Sequence, residues 1–310
     1  MKFRRAIALS GVLALGLWHF ATVAYGQATA TNITGLYYTG VDANNNLVAQ
    51  GTQSPSSAWK VTSAYVNGTA YNGSSTTYTG KSYVISSSLI NPGDTQNTGS
   101  AQWVVAPGAS TAQTGGTVNA GGDFLPGDVK TGSGAYNNSA YFVYQLAFTI
   151  TGTGSGTISG NTSNIQISMT LAADDTYSVY VNPAGAMTFN GSGTLATGGT
   201  TAAATLSANA WQNTTAINLG NSTNNGGVNN ASFVIGTNYI DVVVANTNSG
   251  VSGSNTNSLL LNPSGLLVYQ TSAATINGHP VPEVTAWLPV AVAIGLFGLR
   301  RFRRDSPLPA

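Results

Sequence analysis

Hydrophobic and polar residues alternate with a period of two along much of this chain. In Tyr177-Ser178-Val179-Tyr180-Val181 the period puts Tyr177, Val179 and Val181 on one face and Ser178 and Tyr180 on the other. Ile165-Gln166-Ile167-Ser168-Met169-Thr170-Leu171 has an apolar residue at every second place. Tyr239-Ile240-Asp241-Val242-Val243-Val244-Ala245 is more continuous, as expected of a strand buried on both sides or flanked by another layer. Phe142 to Ile150 and Ser258 to Tyr269 add β-rich segments, and the Asn-Gly pairs beginning at Asn67, Asn72, Asn190 and Asn277 mark tight turns. No segment between residues 32 and 275 keeps a helical period. Many short strands at near-regular spacing predict an all-β fold, a two-sheet antiparallel sandwich. The Gly/Thr/Ala-rich stretches 108–122 and 191–210 read as long loops or irregular strands within one domain, residues 32–275.

The two ends break this pattern. Lys2, Arg4 and Arg5 precede an apolar stretch from Ala6 to Leu17, and Ala24-Tyr25-Gly26 offers the small residues a signal peptidase reads. Residues 1–26 are therefore expected to be a signal peptide cleaved after Gly26; an uncleaved anchor is the alternative, against which His19 and the small-residue site both speak. At the other end, Val284 to Leu299 runs without a charge, a little short of the ~20 residues that comfortably span a bilayer. Arg300, Arg301, Arg303 and Arg304 supply a flank that stays cytoplasmic. Residues 276–283 are expected to be a linker and 284–304 a transmembrane helix with its arginine tail.

Charge narrows what the body can do. Only 6% of residues are charged. Between the two ends stand Lys60, Lys81 and Lys130 against Asp42, Asp94, Asp123, Asp128, Asp174, Asp175 and Asp241, a net of −4 with no arginine. Such a body has no electrostatic footprint for nucleic acid. There is no cysteine, so an exported chain must be held by its core or by bound ions. Catalysis has little to stand on: beyond the signal peptide the one histidine is His279, and no glutamate precedes Glu283. The chain is read as no enzyme.

The motif Val281-Pro282-Glu283, the apolar helix after it and the terminal arginines resemble the PEP-CTERM sorting signal of Gram-negative bacteria. That resemblance implies recognition by an exosortase, a membrane cysteine protease or transpeptidase, in hosts that make an extracellular polysaccharide matrix. It implies export, a passing stay in the inner membrane, and delivery to the cell surface or matrix. The usual second proline is Val284 here, and a plain tail anchor is the other reading of the same residues. The body resembles a recurrent PEP-CTERM ectodomain. It carries Ile33-Thr34-Gly35-Leu36-Tyr37-Tyr38, then Ala101-Gln102-Trp103-Val104, then Asp174-Asp175-Thr176-Tyr177-Ser178-Val179-Tyr180-Val181-Asn182, and lastly Gly236-Thr237-Asn238-Tyr239-Ile240-Asp241. Their order is similar to that of galactose-binding-like jelly rolls, which implies a sandwich that binds sugars through loop tips, in some members with a structural calcium.

Among candidate ligand residues, Asp174 and Asp175 are the adjacent carboxylates. Such a pair suits calcium through hard oxygens, or bonds backbone amides to shape the turn before Tyr177. No other cofactor is expected. Trp211, in a polar Asn/Thr-rich stretch, is the tryptophan placed to stack on a sugar, whereas Trp59 and Trp103 sit in strand-like motifs and read as core. Two functions stay open: an exported, non-enzymatic surface or matrix protein that binds polysaccharide, and a self-associating structural protein forming a fibre or coat.

Overall fold

The computed structural model describes residues 27–42, 44–50, 58–66, 69–73, 79–85, 95–106, 140–174, 176–182, 186–192, 194–196, 204–206, 212–221, 231–246, 265–270 and 272–281. Among these residues the regular structure is entirely β. The first six strands are β1 (Thr29–Thr34), β2 (Lys60–Val66), β3 (Thr69–Asn72), β4 (Gly80–Lys81), β5 (Tyr83–Val84) and β6 (Val104–Val105). The central ones are β7 (Ala140–Thr153), β8 (Ile165–Ala173), β9 (Thr176–Val181), β10 (Thr188–Phe189), β11 (Leu195–Ala196) and β12 (Ala204–Leu206). The chain continues through β13 (Thr215–Gly220), β14 (Gly236–Asn246), β15 (Gly265–Gln270), β16 (Thr275–Ile276) and β17 (His279–Pro280).

These strands form the two antiparallel sheets that the alternation predicts. The larger, of eight strands, runs β12-β9-β14-β7-β2-β3, with β1 on β7 and β4 on β2. The smaller, of seven, runs β17-β16-β8-β15-β6-β5, with β13 on β8. The strand β7 is the spine of the larger sheet. One of its edges pairs with β14 from Ala140 to Ile150, and its other edge takes β2 over Tyr141–Gln145 and β1 over Thr149–Thr153. Successive long strands change sheets, β7 to β8 to β9 and β13 to β14 to β15, so each connection crosses the sandwich.

The core lies between the inward rows. Phe142, Tyr144, Leu146, Phe148 and Ile150 of β7 and Ile240, Val242 and Val244 of β14 belong to one buried cluster with Ile165, Ile167, Met169 and Leu171 of β8. Each such side chain contributes roughly 1.5–3 kcal/mol by leaving water. In a chain without cysteine, this burial is the principal source of stability.

Both sheets are also partly covered on their outer sides. Trp103 packs with Tyr83, Ile85, Ala172 and Leu267 over the smaller sheet. On the larger sheet, Met187 and Phe189 at the β10–β11 hairpin lie against Val143 and Val243. The unbroken apolar run Val242-Val243-Val244 thus has its cause: Val242 and Val244 face the core, and Val243 faces the hairpin. The Tyr141 and Phe189 rings, 6.0 Å apart and tilted, extend the same patch.

Turn chemistry follows the Asn-Gly pairs. Asn277 (φ 53°) and Gly278 (φ 77°) both take the left-handed backbone that a two-residue type I′ hairpin needs, with Ile276 opposite His279. Asn190 accepts the backbone N–H groups of Ser192 and Thr194 through its side chain and so closes the β10–β11 turn. Asn67-Gly68 lies outside the described residues, between β2 and β3, which pair with Val66 opposite Thr69.

The sheet carries further at both ends than residues 32–275. It begins at Thr29, and Ile276 and Val281 are buried, the Val281 N–H donating to the Ala274 carbonyl at 2.7 Å. Apolar side chains at Ala28, Ala30, Ile276 and Val281 are what recruit these segments to the core. Residues 1–26 and 284–304, expected as signal peptide and transmembrane helix, lie outside the described residues.

Candidate binding face

The outer side of the larger sheet is built from the odd-numbered residues of β7 and their cross-strand partners. Its first part, around Val143 and Val243, is covered by the hairpin. The next row reads Lys60, Gln145, Asp241 and Tyr180 across β2, β7, β14 and β9. Beyond it the sheet is open. Ala147 pairs with Tyr239, Thr149 lies between Thr34 and Thr237, Thr151 faces Asn32, and Thr153 faces Thr29. By strand rise this open part runs on the order of 20 Å along β7, two paired strands wide except at Thr149 and Ile150, where β1 and β14 both flank β7. Among the described residues its rows carry hydroxyl, amide and phenol groups and no charge.

Tyr239 is the exposed aromatic on this face, 38% accessible. Asn182 holds both backbone polar groups of Tyr239. The Asn182 side-chain oxygen accepts the Tyr239 N–H at 2.7 Å, and the Asn182 N–H donates to the Tyr239 carbonyl at 3.0 Å. Asn182, at φ 44°, also donates to the Asn238 side-chain oxygen at 2.7 Å. Asn238 is fully buried, and its amide donates to the carbonyls of Val234 and Gly236, both at 2.9 Å. The asparagines of the two quoted motifs therefore meet, and together they fix the backbone from which the Tyr239 ring projects.

Asp241 stands one pair of residues along β14 from Tyr239, on the same side of the sheet. It is 1% exposed, and its Oδ1 meets no hydrogen-bond partner among the described residues. Burial pushes its carboxyl up to about 6, against a hydrogen bond from Gln145 and the charge of Lys60.

The residues singled out from the sequence lie elsewhere. Asp174 is buried in the short connection from β8 to β9, its N–H donating to the Gly265 carbonyl at 3.2 Å; Asp175 lies outside the described residues. No group of three His, Cys, Asp or Glu side chains is brought together among the described residues. Trp211, Pro282, Glu283, Arg300, Arg301, Arg303 and Arg304 lie outside the described residues, and Val281 is the one residue of the sorting motif within them. Trp59 and Trp103 are fully buried; their ring N–H groups donate to the carbonyls of Tyr37 at 2.9 Å and Thr95 at 2.7 Å.

Sequence reasoning misses the open face, although a sign of it is there: Thr149-Ile150-Thr151-Gly152-Thr153 puts three threonines on one side of a strand. No family model, curated protein or solved structure matches this chain.

Proposed function

We propose that this chain is an exported, non-enzymatic protein of the cell surface or extracellular matrix, processed at its C-terminal sorting signal, whose sandwich binds polysaccharide. The observation that carries the reading is the hydroxyl-rich open part of the larger sheet's outer face, whose rows carry no charge among the described residues and which presents the exposed Tyr239. Such a surface offers hydrogen bonds and an aromatic ring to a polymer of hydroxyl groups, without electrostatic attraction. The alternation of successive strands between the two sheets supports the galactose-binding-like jelly roll as the finer description. The signal peptidase and an exosortase-type enzyme are the processing partners, and calcium at Asp174 and Asp175 belongs to the proposal only as a structural ion.

The location is tested by the intact mass of the protein recovered from the host's outer fraction, beside a Glu283→Ala variant. Loss of the residues from about Pro282 onward in the wild type, with retention in the variant, is the expected result. An unprocessed arginine tail in both makes the tail a plain membrane anchor.

A specific observation favours the second reading, self-association into a fibre or coat. The strand β13 pairs with β8 along one edge and has no partner strand on the other among the described residues, and its sequence Thr-Ala-Ile-Asn-Leu-Gly carries no charge to deter pairing between chains. Polymerisation that rises with protein concentration, without saturable sugar binding, decides for it.

A further inference from the structure

We propose that the open face of the larger sheet, with Tyr239 as its stacking ring and the row Lys60, Gln145, Asp241 and Tyr180 as its polar border, is the contact surface for a neutral polysaccharide chain. This rests on the polysaccharide reading above and adds to it a place and a chemical class.

Three observations converge on it. The first is exposure: the apolar part of this sheet face is covered by the chain's own β10–β11 hairpin, while Ala147, Thr151, Thr237 and Tyr239 are exposed. The exposed part carries hydroxyl and phenol groups, which suit water or a hydroxylated ligand. The second is preorganisation. The backbone of Tyr239 is anchored by Asn182 and, through it, by the buried Asn238, so the strand that presents the phenol needs no ordering when a sugar docks. The third is Asp241, whose buried Oδ1 lacks a donor among the described residues, although Gln145, Tyr180 and Lys60 share its row. Being 1% exposed, Asp241 closes the open rows with a buried polar border and does not itself reach a ligand.

Charge selects the class. The threonine and asparagine rows carry no cation to hold a uronate, and the exposed lysine of the bordering row, Lys60, shares that row with the carboxyl of Asp241. The buried Asp241 in the bordering row further disfavours a polyanion. A chain of neutral pyranoses meets none of these obstacles.

The test is co-sedimentation of the full-length chain with insoluble neutral glucan, galactan and mannan, beside an alginate gel as the acidic probe. Tyr239→Ala and Thr151→Arg are the variants, and Leu47→Ala, an exposed apolar position elsewhere, is the control. Thermal unfolding of each verifies that it folds. The expected result is saturable binding to a neutral polymer that is little changed by salt or by Leu47→Ala. Tyr239→Ala should weaken it about five- to tenfold, and Thr151→Arg should weaken it as well. Wild-type binding that both variants keep overturns the assignment of this face and leaves the polysaccharide reading standing. Binding to alginate alone, lost in salt, overturns the neutral class. A wild type that binds no polymer overturns both this inference and the reading it rests on.

Discussion

At the scale of single residues, the buried carboxyl of Asp241 dominates the pH behaviour of the larger sheet. Its pKa is raised from 3.8 to about 6 by burial, so between those values the unfolded chain loses the proton while the folded chain keeps it. Stability from this group is therefore intact at the acid end, falls as pH rises through that window, and is lowest above it. A carboxyl held that far above its ordinary value costs the folded state roughly 3 kcal/mol at neutral pH. Asp241→Asn should recover ~1–3 kcal/mol at neutral pH and flatten the dependence between pH 4 and 6, measured as the difference between variant and wild type in urea unfolding. The comparison must be a difference because Asp42 acts with the opposite sign: backbone N–H groups of Asn46 and Asn44 hold its exposed carboxylate below the usual range. An unchanged slope in Asp241→Asn contradicts the buried placement of this side chain. Alternation alone puts Asp241 on the opposite side of its strand from Val242. That its side chain is nonetheless buried depends on packing from other parts of the chain, which no local pattern records.

At the scale of elements, the face proposed for binding exists only because β1 joins the spine strand about 120 residues away in sequence. The joint depends on Gly152. It sits opposite Ala30 beside a register shift, and a Cβ there would run into the carbonyl oxygen of Thr29 and crowd Ile235. Gly152→Ala should therefore push β1 off β7 at a cost of ~1–3 kcal/mol. Faster backbone amide exchange across residues 29–34, with the Asn277-Gly278 hairpin unchanged, is the expected signature, and undisturbed protection of β1 contradicts the pairing. Much at this scale was legible in advance. The faces of β8 and β9, the all-β character and the Asn277-Gly278 turn all follow from period and turn residues. The pairing of β1 with β7 and the covering of Val143 and Val243 by the hairpin were not, because they join segments whose own sequences say only that each is a strand. Tyr239 illustrates the limit: in the sequence it is one of 14 tyrosines, and the structure singles it out through its exposure and through Asn182, which holds its backbone and is itself held by Asn238.

At the scale of the whole molecule, a two-sheet body with few charges stands between an N-terminal segment read as a secretion signal and an arginine-capped tail read as a sorting signal. The described sandwich reaches Val281, two residues short of Glu283, so removal of everything beyond the sorting motif would leave it whole. Cleavage before Val281 would take a side chain out of the core, which places the expected cut after it. Whether this body holds polysaccharide is decided most directly by co-sedimentation of the wild-type protein with the neutral polymers, repeated at rising ionic strength. Saturable binding to at least one neutral polymer, persisting as salt rises, is the expected result. Absence of binding to every polymer, together with assembly that grows with protein concentration alone, would contradict it and make the chain a coat-forming protein.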